Sequence, residues 1–413
     1  MLTTTRKYFI GTFAMVLGLA LAAGAACPVS AENAPGVTNT QIVLGGLHPF
    51  SGPASAYGAF GKGAEAYFDY VNDNGGVNGR KITYKDLDDA YSPPQAVQLT
   101  RQLVEQDNVF AMFNTLGTPS NTAIRPYLNQ KEVPQLFVAT GATTWAKDAA
   151  RYPWTIGWQP DYQSESIIYA KNLLKKNPNA KIAVLYQNDD YGKDYLAGLE
   201  KGLGSKTNLI VKTASYEVTD PDVTSQIANL KSSGADTFFI FATPKFSAQA
   251  LVAVAQKSWH PRTYLNNVSA SDSVMKAATT QGGPGATNGV ISTLYWKDPG
   301  DQKWAHDSGM LLYRKIMAKY EPGADVSNGF YTIGMGVAYT MVDTLEKAGK
   351  DLTREKVMDA ATHLDETNNP FLITGIVVRT TPQDRFPITQ EQLVRYESGR
   401  FVPFGSIIQA APH

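Results

Sequence analysis

The sequence predicts an α/β fold made of two doubly wound parallel-sheet lobes joined by three hinge strands. Short β-rich runs alternate with helical patterns along most of the chain, which is typical of parallel sheets covered by helices on both faces. The 413 residues suffice for two cores of ordinary domain size. Three extended runs bounded by Pro, Gly or Asn separate the βαβ blocks and are candidate crossings between lobes: 152–160, 288–295 and 369–378.

The amino-terminal third begins with a strand, a helix and a second strand. Residues 41–47 and 81–87 read as strands, and 58–74 as a helix. Gly75 can take the left-handed conformation that ends a helix, and Asn78-Gly79 suits a tight turn into the next strand. The apolar residues of the helix recur at helical spacing: Ala64, Tyr67, Phe68 and Val71.

The remaining elements follow the same logic. Ser92 offers an N-cap with Pro93 at the first helical position, and this helix extends to about Gln106. Residues 327–364 are helical in pattern, and 390–403 predict a hairpin that turns at Ser398-Gly399. Further strands are predicted at 109–113, 135–138, 182–186, 209–216, 237–241 and 262–265.

Residues 1–31 have the order of a secretory signal peptide. Arg6 and Lys7 precede an uncharged run, and small residues follow it, so we expect cleavage after Ala31. A membrane anchor is the first alternative, because the run approaches the ~20 residues of a span. The second is a lipoprotein with Cys27 as lipid acceptor, although Gly24 is a poor fit to that signal. We expect a periplasmic protein, and cleavage would remove the one Cys.

Composition and motifs argue against several function classes. Lys plus Arg equals Asp plus Glu at 37 each, with no block of like charge, so a nucleic-acid partner is not expected. The five His residues are scattered, and Asp88-Asp89 and Asp189-Asp190 read as solvated loop charges, so we predict neither metal nor cofactor. Nucleophile-elbow, dinucleotide and P-loop spacings are missing. A binding protein is therefore favoured over an enzyme.

Two loops could converge on one binding spot. Thr118 precedes a helix predicted to begin at Pro119, and Thr143 lies near another helix start. Hydroxyls and helix N-termini suit a carboxylate, although each loop alone is more often a plain N-cap. Ligands of open α/β sheets bind beyond the carboxyl ends of strands, which favours a site here. Aromatic side chains could supply flat walls: Tyr57, Tyr191, Phe330 and Trp145, the last being as readily a core residue. For His48 a structural role is favoured over a place in the cleft.

An ordered set of short motifs resembles the periplasmic leucine/isoleucine/valine-binding protein family, the type I solute receptors of ABC importers. Each motif is weak alone, but the set spans essentially the whole chain after the signal. The motifs are 49–53, Tyr57-Gly58, 74–80, Asp88-Asp89, 93–97, 141–143, Tyr191-Gly192, 230–236 and 344–349.

The resemblance implies two lobes that close around a small solute. It places the amino-terminal lobe at 40–158 and 290–372 and the carboxy-terminal lobe at 159–289 and 373–413. It also implies a monomer that meets a membrane permease. The ligand-binding residues it implies are Ser51, Tyr57, Leu116, Gly117, Thr118, Gly141, Ala142, Thr143, Tyr191, Thr243, Ser269, Phe330 and Tyr331.

One departure from the family bears on the ligand. Amino-acid-binding members hold the ligand ammonium with an acidic residue near the position of Ser269, where this chain has the uncharged run 266–270. Because a buried ammonium without a carboxylate is disfavoured, we favour a small carboxylate lacking an α-ammonium, such as an aromatic acid. Asp272 could substitute if the loop shifts. A branched-chain or other amino-acid or amide receptor, a ligand-sensing domain and an exported hydrolase remain alternatives.

Overall fold

The computed structural model describes residues 1–5, 7, 8 and 34–410. The predicted signal peptide, with Cys27 and the cleavage point at Ala31, lies largely outside the described residues and stays a prediction. Among the residues that are described, no helix combines the length and apolarity that a membrane span requires.

The first lobe is built on a parallel five-stranded sheet in the order β2-β1-β3-β4-β5. β1 and β2 pair in register along their whole length, from Gln41 opposite Lys81 to His48 opposite Asp88. Consecutive strands are linked by helices. The elements are β1 (Gln41–His48), α1 (Gly58–Asp73), β2 (Lys81–Asp88), α2 (Pro93–Glu105), β3 (Ala111–Phe113), α3 (Thr118–Gln130), β4 (Gln135–Val138), α4 (Thr144–Lys147) and β5 (Thr155–Gly157).

The second lobe repeats this strand order. Its sheet runs β7-β6-β8-β9-β10, all parallel, and continues with the antiparallel strands β13 and β14. The elements are α5 (Tyr162–Lys176), β6 (Ile182–Gln187), α6 (Asp190–Leu203), β7 (Ile210–Tyr216), α7 (Thr224–Ser232), β8 (Thr237–Phe241), α8 (Pro244–Gln256), β9 (Arg262–Leu265), α9 (Asp272–Gly282), β10 (Ile291–Leu294), β13 (Gln390–Glu397) and β14 (Arg400–Gln409).

A helical segment between β10 and β13 returns to the first lobe. It contains α10 (Ser308–Tyr320), α11 (Gly329–Ala348), α12 (Arg354–Ala361) and the small pair β11 (Asp365–Glu366) and β12 (Val378–Arg379). α11 packs closely on α1, because Gly63 and Gly334 leave room for the backbone of the opposite helix. A Cβ on Gly334 would lie 2.1 Å from the carbonyl oxygen of Phe60.

The three segments that pass between the lobes contact one another. Trp158 in the first packs edge-on against Tyr295 in the second, with ring centroids 5.9 Å apart. The third is bridged to the second where Leu372 pairs with Trp296. The Trp158 indole also donates to the hydroxyl of Thr340 in α11, at 2.9 Å. The crossings therefore form one packed unit.

The architecture confirms the predicted α/β class with two parallel-sheet lobes. The predicted lobe boundary at 290, however, assigns β10 to the first lobe, whereas β10 pairs with β9 and β13 in the second sheet. The run 288–295 has the β-branched composition of a buried strand, and the chain leaves the second sheet only after it. The other predicted domain limits stay predictions.

Candidate functional site

A small cavity of about 20 Å³ lies between the carboxyl ends of the two parallel sheets. In each sheet, the strand order reverses beside the first strand of the lobe, and loops at such switch points leave a crevice for ligands. Here the two crevices face each other. The cavity is lined by Tyr57, Phe60, Tyr91, Leu116, Gly117, Thr118 and Ala139 from the first lobe, Gln159 from the first crossing, and Tyr162, Tyr191, Thr243 and Val268 from the second lobe.

Helix N-termini from both lobes reach the cavity wall. Gly117 and Thr243 are the N-cap residues of α3 and α8, and neither helix has a side-chain cap. Tyr57 precedes α1, where a 3-10 turn at Ser55–Tyr57 accepts the Gly58 backbone N–H. Gly117 takes φ 95°, a conformation that glycine adopts without strain. Because helix N-termini carry partial positive charge and spare N–H donors, the cavity is electrostatically suited to an anion.

The hydroxyls of the wall are held by protein partners. The Thr118 and Thr140 hydroxyl oxygens lie 2.6 Å apart. Asn266 donates its side-chain amide to the Tyr191 hydroxyl at 2.6 Å. The Thr243 backbone N–H donates to the Tyr216 hydroxyl at 3.0 Å. These contacts fix the wall groups before any solute arrives.

The twelve described residues that line the cavity include no acidic side chain, no Lys, no Arg and no His. The buried carboxylate of Glu165 lies behind the tyrosine wall: it accepts hydrogen bonds from Tyr195 at 2.7 Å and Tyr169 at 2.6 Å, and Tyr195 stacks on Tyr162. Burial raises the pKa of Glu165 to about 7, against the opposing effect of these hydrogen bonds. The wall therefore presents aromatic faces and neutral polar groups.

The structure brings six of the residues implied by the resemblance to the cavity wall. These are Tyr57, Leu116, Gly117, Thr118, Tyr191 and Thr243. They stand at strand ends or helix starts in both lobes, as the predicted loops do. Their contact with a ligand stays a prediction.

The other implied residues lie outside the cavity wall. Ser51 is exposed, and Ser269 turns its hydroxyl to the carbonyl oxygen of Ala242 at 2.7 Å. Gly141 accepts the backbone N–H of Tyr162, and Ala142 lies beside it in a surface groove. The last three are Thr143, which bonds to Asp194 of the second lobe, Phe330, which packs behind Tyr57 and Phe60, and Tyr331, which approaches Gly63 on α1.

Six wall residues were missed by sequence reasoning: Phe60, Tyr91, Ala139, Gln159, Tyr162 and Val268. Gln159 belongs to the predicted crossing 152–160, and Val268 to the uncharged run 266–270. The sequence analysis therefore singled out both segments, but it did not predict that these two side chains line the cavity. Tyr91 has φ 60° just after β2, which places its ring against Gly117. Nothing in a single sequence marks that conformation.

Two residues that the sequence analysis considered for the cleft, His48 and Asp272, do not line the cavity. His48 is fully buried and bonds to Asp86 at 2.9 Å and to Asn114 at 3.3 Å, so it has the structural role that was favoured. Asp272 is buried but does not line the cavity, so it does not stand in for the missing acidic residue. Within the described part of the chain, no group of His, Cys, Asp and Glu could hold a metal ion.

Comparisons with known proteins agree with the fold. The sequence profile of the periplasmic binding protein family matches residues 41–400. A Leu/Ile/Val-binding protein homolog from Brucella suis is 31% identical over 232 residues, covering 52% of this chain and 53% of the relative. The chain thus spans about half the length of the curated relatives that head the comparison, such as this one and a second homolog from Brucella melitensis.

Solved structures share the fold at low identity. A branched-chain amino acid ABC transporter protein from Thermus thermophilus with bound valine superposes with a TM-score of 0.79 at 17% identity, covering 90% of this chain and 97% of that one. A solute-binding protein from R. palustris in complex with benzoate gives a TM-score of 0.75 at 17% identity, with the same coverage. The resemblance found in the sequence is confirmed, and the chain belongs to the periplasmic binding protein family, in the type I form that includes the leucine/isoleucine/valine-binding proteins.

Proposed function

We propose that the protein is an extracytoplasmic solute-binding receptor of an ABC importer, which captures a small carboxylate between its two lobes and delivers it to a membrane permease. The observation that carries the proposal is the small cavity lined by residues of both lobes. A solute in it contacts both halves only when they are closed, so binding shifts the protein toward the closed form. The guest leaves chemically unchanged.

The charge of the cavity favours an acid over an amino acid. The N-termini of α3 and α8, which have no side-chain cap, supply partial positive charge from opposite lobes. An α-ammonium would need a carboxylate partner, and none of the described wall residues is acidic. A carboxylate without an ammonium fits both conditions.

The aromatic residues of the wall favour a flat solute. Five rings surround the space, and aromatic faces stack on rings or cover apolar surface. They belong to Tyr57, Phe60, Tyr91, Tyr162 and Tyr191. The benzoate-bound structure from R. palustris shows that this fold can hold an aromatic acid, which supports the same class here.

A thermal-shift panel followed by calorimetry tests the proposal. Benzoate and 4-hydroxybenzoate should raise the melting temperature with one bound molecule per chain, whereas benzylamine and benzyl alcohol should not. Ligand at about 100 times Kd stabilises by about 2.7 kcal/mol, which is easily measured. Tyr57→Ala, at the wall, should abolish the shift, while Tyr70→Ala, on α1 but outside the wall, should keep it.

Three results would contradict parts of the proposal. Stabilisation by leucine or valine with no effect of the acids would favour the amino-acid receptor. Conversion of any compound during the incubation would favour an enzyme. A radius of gyration that does not decrease in small-angle scattering when a stabilising solute is added would argue against closure of the lobes.

A further inference from the structure

Gln159 is a buried amide in the cavity wall whose nitrogen has no hydrogen-bond partner. The residue is 7% exposed, and its amide nitrogen is inaccessible to solvent. A buried donor that lacks a partner is costly, so an acceptor is expected in its reach when the protein works. Among the described wall residues, Gln159 is the one with a buried side-chain polar atom left unpaired.

The backbone around Gln159 is held firmly from both sides. Trp158 before it donates to Thr340 and packs on Tyr295 in the second crossing. Asp161, two residues later, accepts the backbone N–H of Ser164 at 3.0 Å and so caps α5. Gln159 therefore stands on the segment that joins the lobes, between two anchored neighbours.

The hydroxyls of Thr118 and Tyr191 differ from Gln159 because protein partners already engage them. The Gln159 amide is a donor, and the residue lines the cavity from the first crossing, where the two lobes meet. A solute oxygen at this point would satisfy the amide. A solute ammonium at this point would be disfavoured, because the ammonium and the amide nitrogen are both hydrogen-bond donors.

We propose that Gln159 is a specificity-determining residue that donates a hydrogen bond from its amide nitrogen to an acceptor oxygen of the bound solute. The inference rests on the proposed function, since it needs a solute in the cavity. It extends that function by naming the Gln159 amide as the group that selects solutes with an acceptor oxygen near the hinge. It also links occupancy of the cavity to the crossing that carries Trp158.

Two substitutions and one control test this role by calorimetry and thermal melting. Gln159→Met keeps the length of the side chain and removes the donor, so the affinity for the best acid of the panel should fall about tenfold or more. The melting temperature of the solute-free protein should stay equal or rise, because an unpaired buried donor is gone. Gln256→Met, exposed at the end of α8, should change neither quantity.

Gln159→Glu tests the role through the pH dependence of solute affinity, which a purely structural role of Gln159 would not change. At pH 7.5 an ionised carboxylate beside the solute oxygen should weaken binding by about 100-fold. Binding should recover in part at pH 5, because burial beside an anionic solute raises the pKa of the introduced carboxyl and favours its protonated form, which can donate. The wild-type protein should show no comparable recovery. A Gln159→Glu affinity independent of pH would overturn the proposal.

The two proposals fail in different ways. If the wild-type protein binds an acid and Gln159→Met binds it equally well, the role of Gln159 is wrong and the proposed function stands. If the wild-type protein binds leucine instead, the amide should still donate to the leucine carboxylate, and the same tenfold loss is expected. If no compound binds the wild-type protein, both proposals fail.

Discussion

Asp194 of the second lobe accepts two hydrogen bonds from Thr143 of the first, one from the backbone N–H at 2.8 Å and one from the hydroxyl at 2.9 Å. The carboxylate is oriented within its own lobe by the side-chain amide of Gln163, at 2.7 Å. Thr143 is the N-cap residue of α4, so a helix N-terminus meets a carboxylate across the gap between lobes. This contact lies outside the cavity and exists only where the lobes meet.

Asp194→Ala should weaken solute binding without touching the cavity. The substitution removes two hydrogen bonds that stabilise the closed form, and charge-assisted hydrogen bonds are worth about 1.5–3 kcal/mol each in favourable cases. Affinity should therefore fall by about tenfold or more, because closure and binding are linked. Calorimetry measures the affinity, and scattering with saturating solute measures the closed fraction.

Glu200→Ala provides the control for this contact. Glu200 is exposed near the end of the same helix, α6, and should leave affinity unchanged. Equal affinities of Asp194→Ala and the wild-type protein would mean that the contact between Thr143 and Asp194 does not contribute to closure.

The same contact illustrates what sequence reasoning could reach. The helix start near Thr143 was predicted, because the pattern of turn and apolar residues marks element ends. Its partner was not, because Asp194 lies 51 residues away on another lobe and single-sequence patterns carry no information on such pairs. The ligand role expected for Thr143 came from its place near a helix start and from the resemblance, whereas the structure engages both its backbone N–H and its hydroxyl with Asp194.

Strands and turns were predicted well where local chemistry dominates. β4, β8 and β9 have the predicted limits, since short apolar runs end at polar or turn residues. The hairpin of β13 and β14 turns at Ser398 and Gly399 with φ of 53° and 82°, as a two-residue turn requires. The cavity wall was predicted less completely, since side chains such as Tyr162 and Gln159 reach it only through the relative placement of the lobes.

Glu366→Gln should flatten the pH dependence of stability. Glu366 is buried and accepts hydrogen bonds from Asn369 at 2.7 Å and Thr340 at 3.0 Å, and burial raises its pKa to about 7 from 4.5. Between pH 4.5 and 7 the folded protein holds a proton that the unfolded chain has lost. The free energy of unfolding therefore falls as pH rises through this window, by at most about 1.4 kcal/mol per unit, and levels off above pH 7.

Denaturant titrations of wild type and Glu366→Gln at pH 5, 6, 7 and 8 give the free energy of unfolding at each pH. The contribution of Glu366 is the difference between the two proteins in the slope of this free energy against pH. Glu165 also has a raised pKa and contributes to both proteins alike, so the comparison isolates Glu366. Glu346→Gln, exposed on α11, should keep the wild-type slope. Parallel curves for wild type and Glu366→Gln would show that Glu366 does not titrate differently in the folded state.

Gly334→Ala should destabilise the first lobe through the packing of α11 on α1. The added Cβ would lie 2.1 Å from the Phe60 carbonyl oxygen, so the helices must separate. Overpacking of this kind costs about 1–3 kcal/mol, and the melting temperature should fall accordingly. Gly285→Ala, where a Cβ meets open space and φ is not positive, should leave the melting temperature within about a degree or two.

Trp158→Phe should impair the hinge more than it impairs the fold. The change removes the indole donor to Thr340 and puts a smaller ring against Tyr295, and so loosens the unit formed by the three crossings. Trp259→Phe is a matched control, because Trp259 is also buried and its indole also donates one hydrogen bond, at 3.0 Å to the carbonyl oxygen of Ala235. Both substitutions should lower stability by about 1–3 kcal/mol. Only Trp158→Phe should also reduce the solute-induced contraction seen by scattering, since Trp259 lies away from the crossings in the second lobe; equal contraction in the two variants would mean that Trp158 supports the fold without controlling closure.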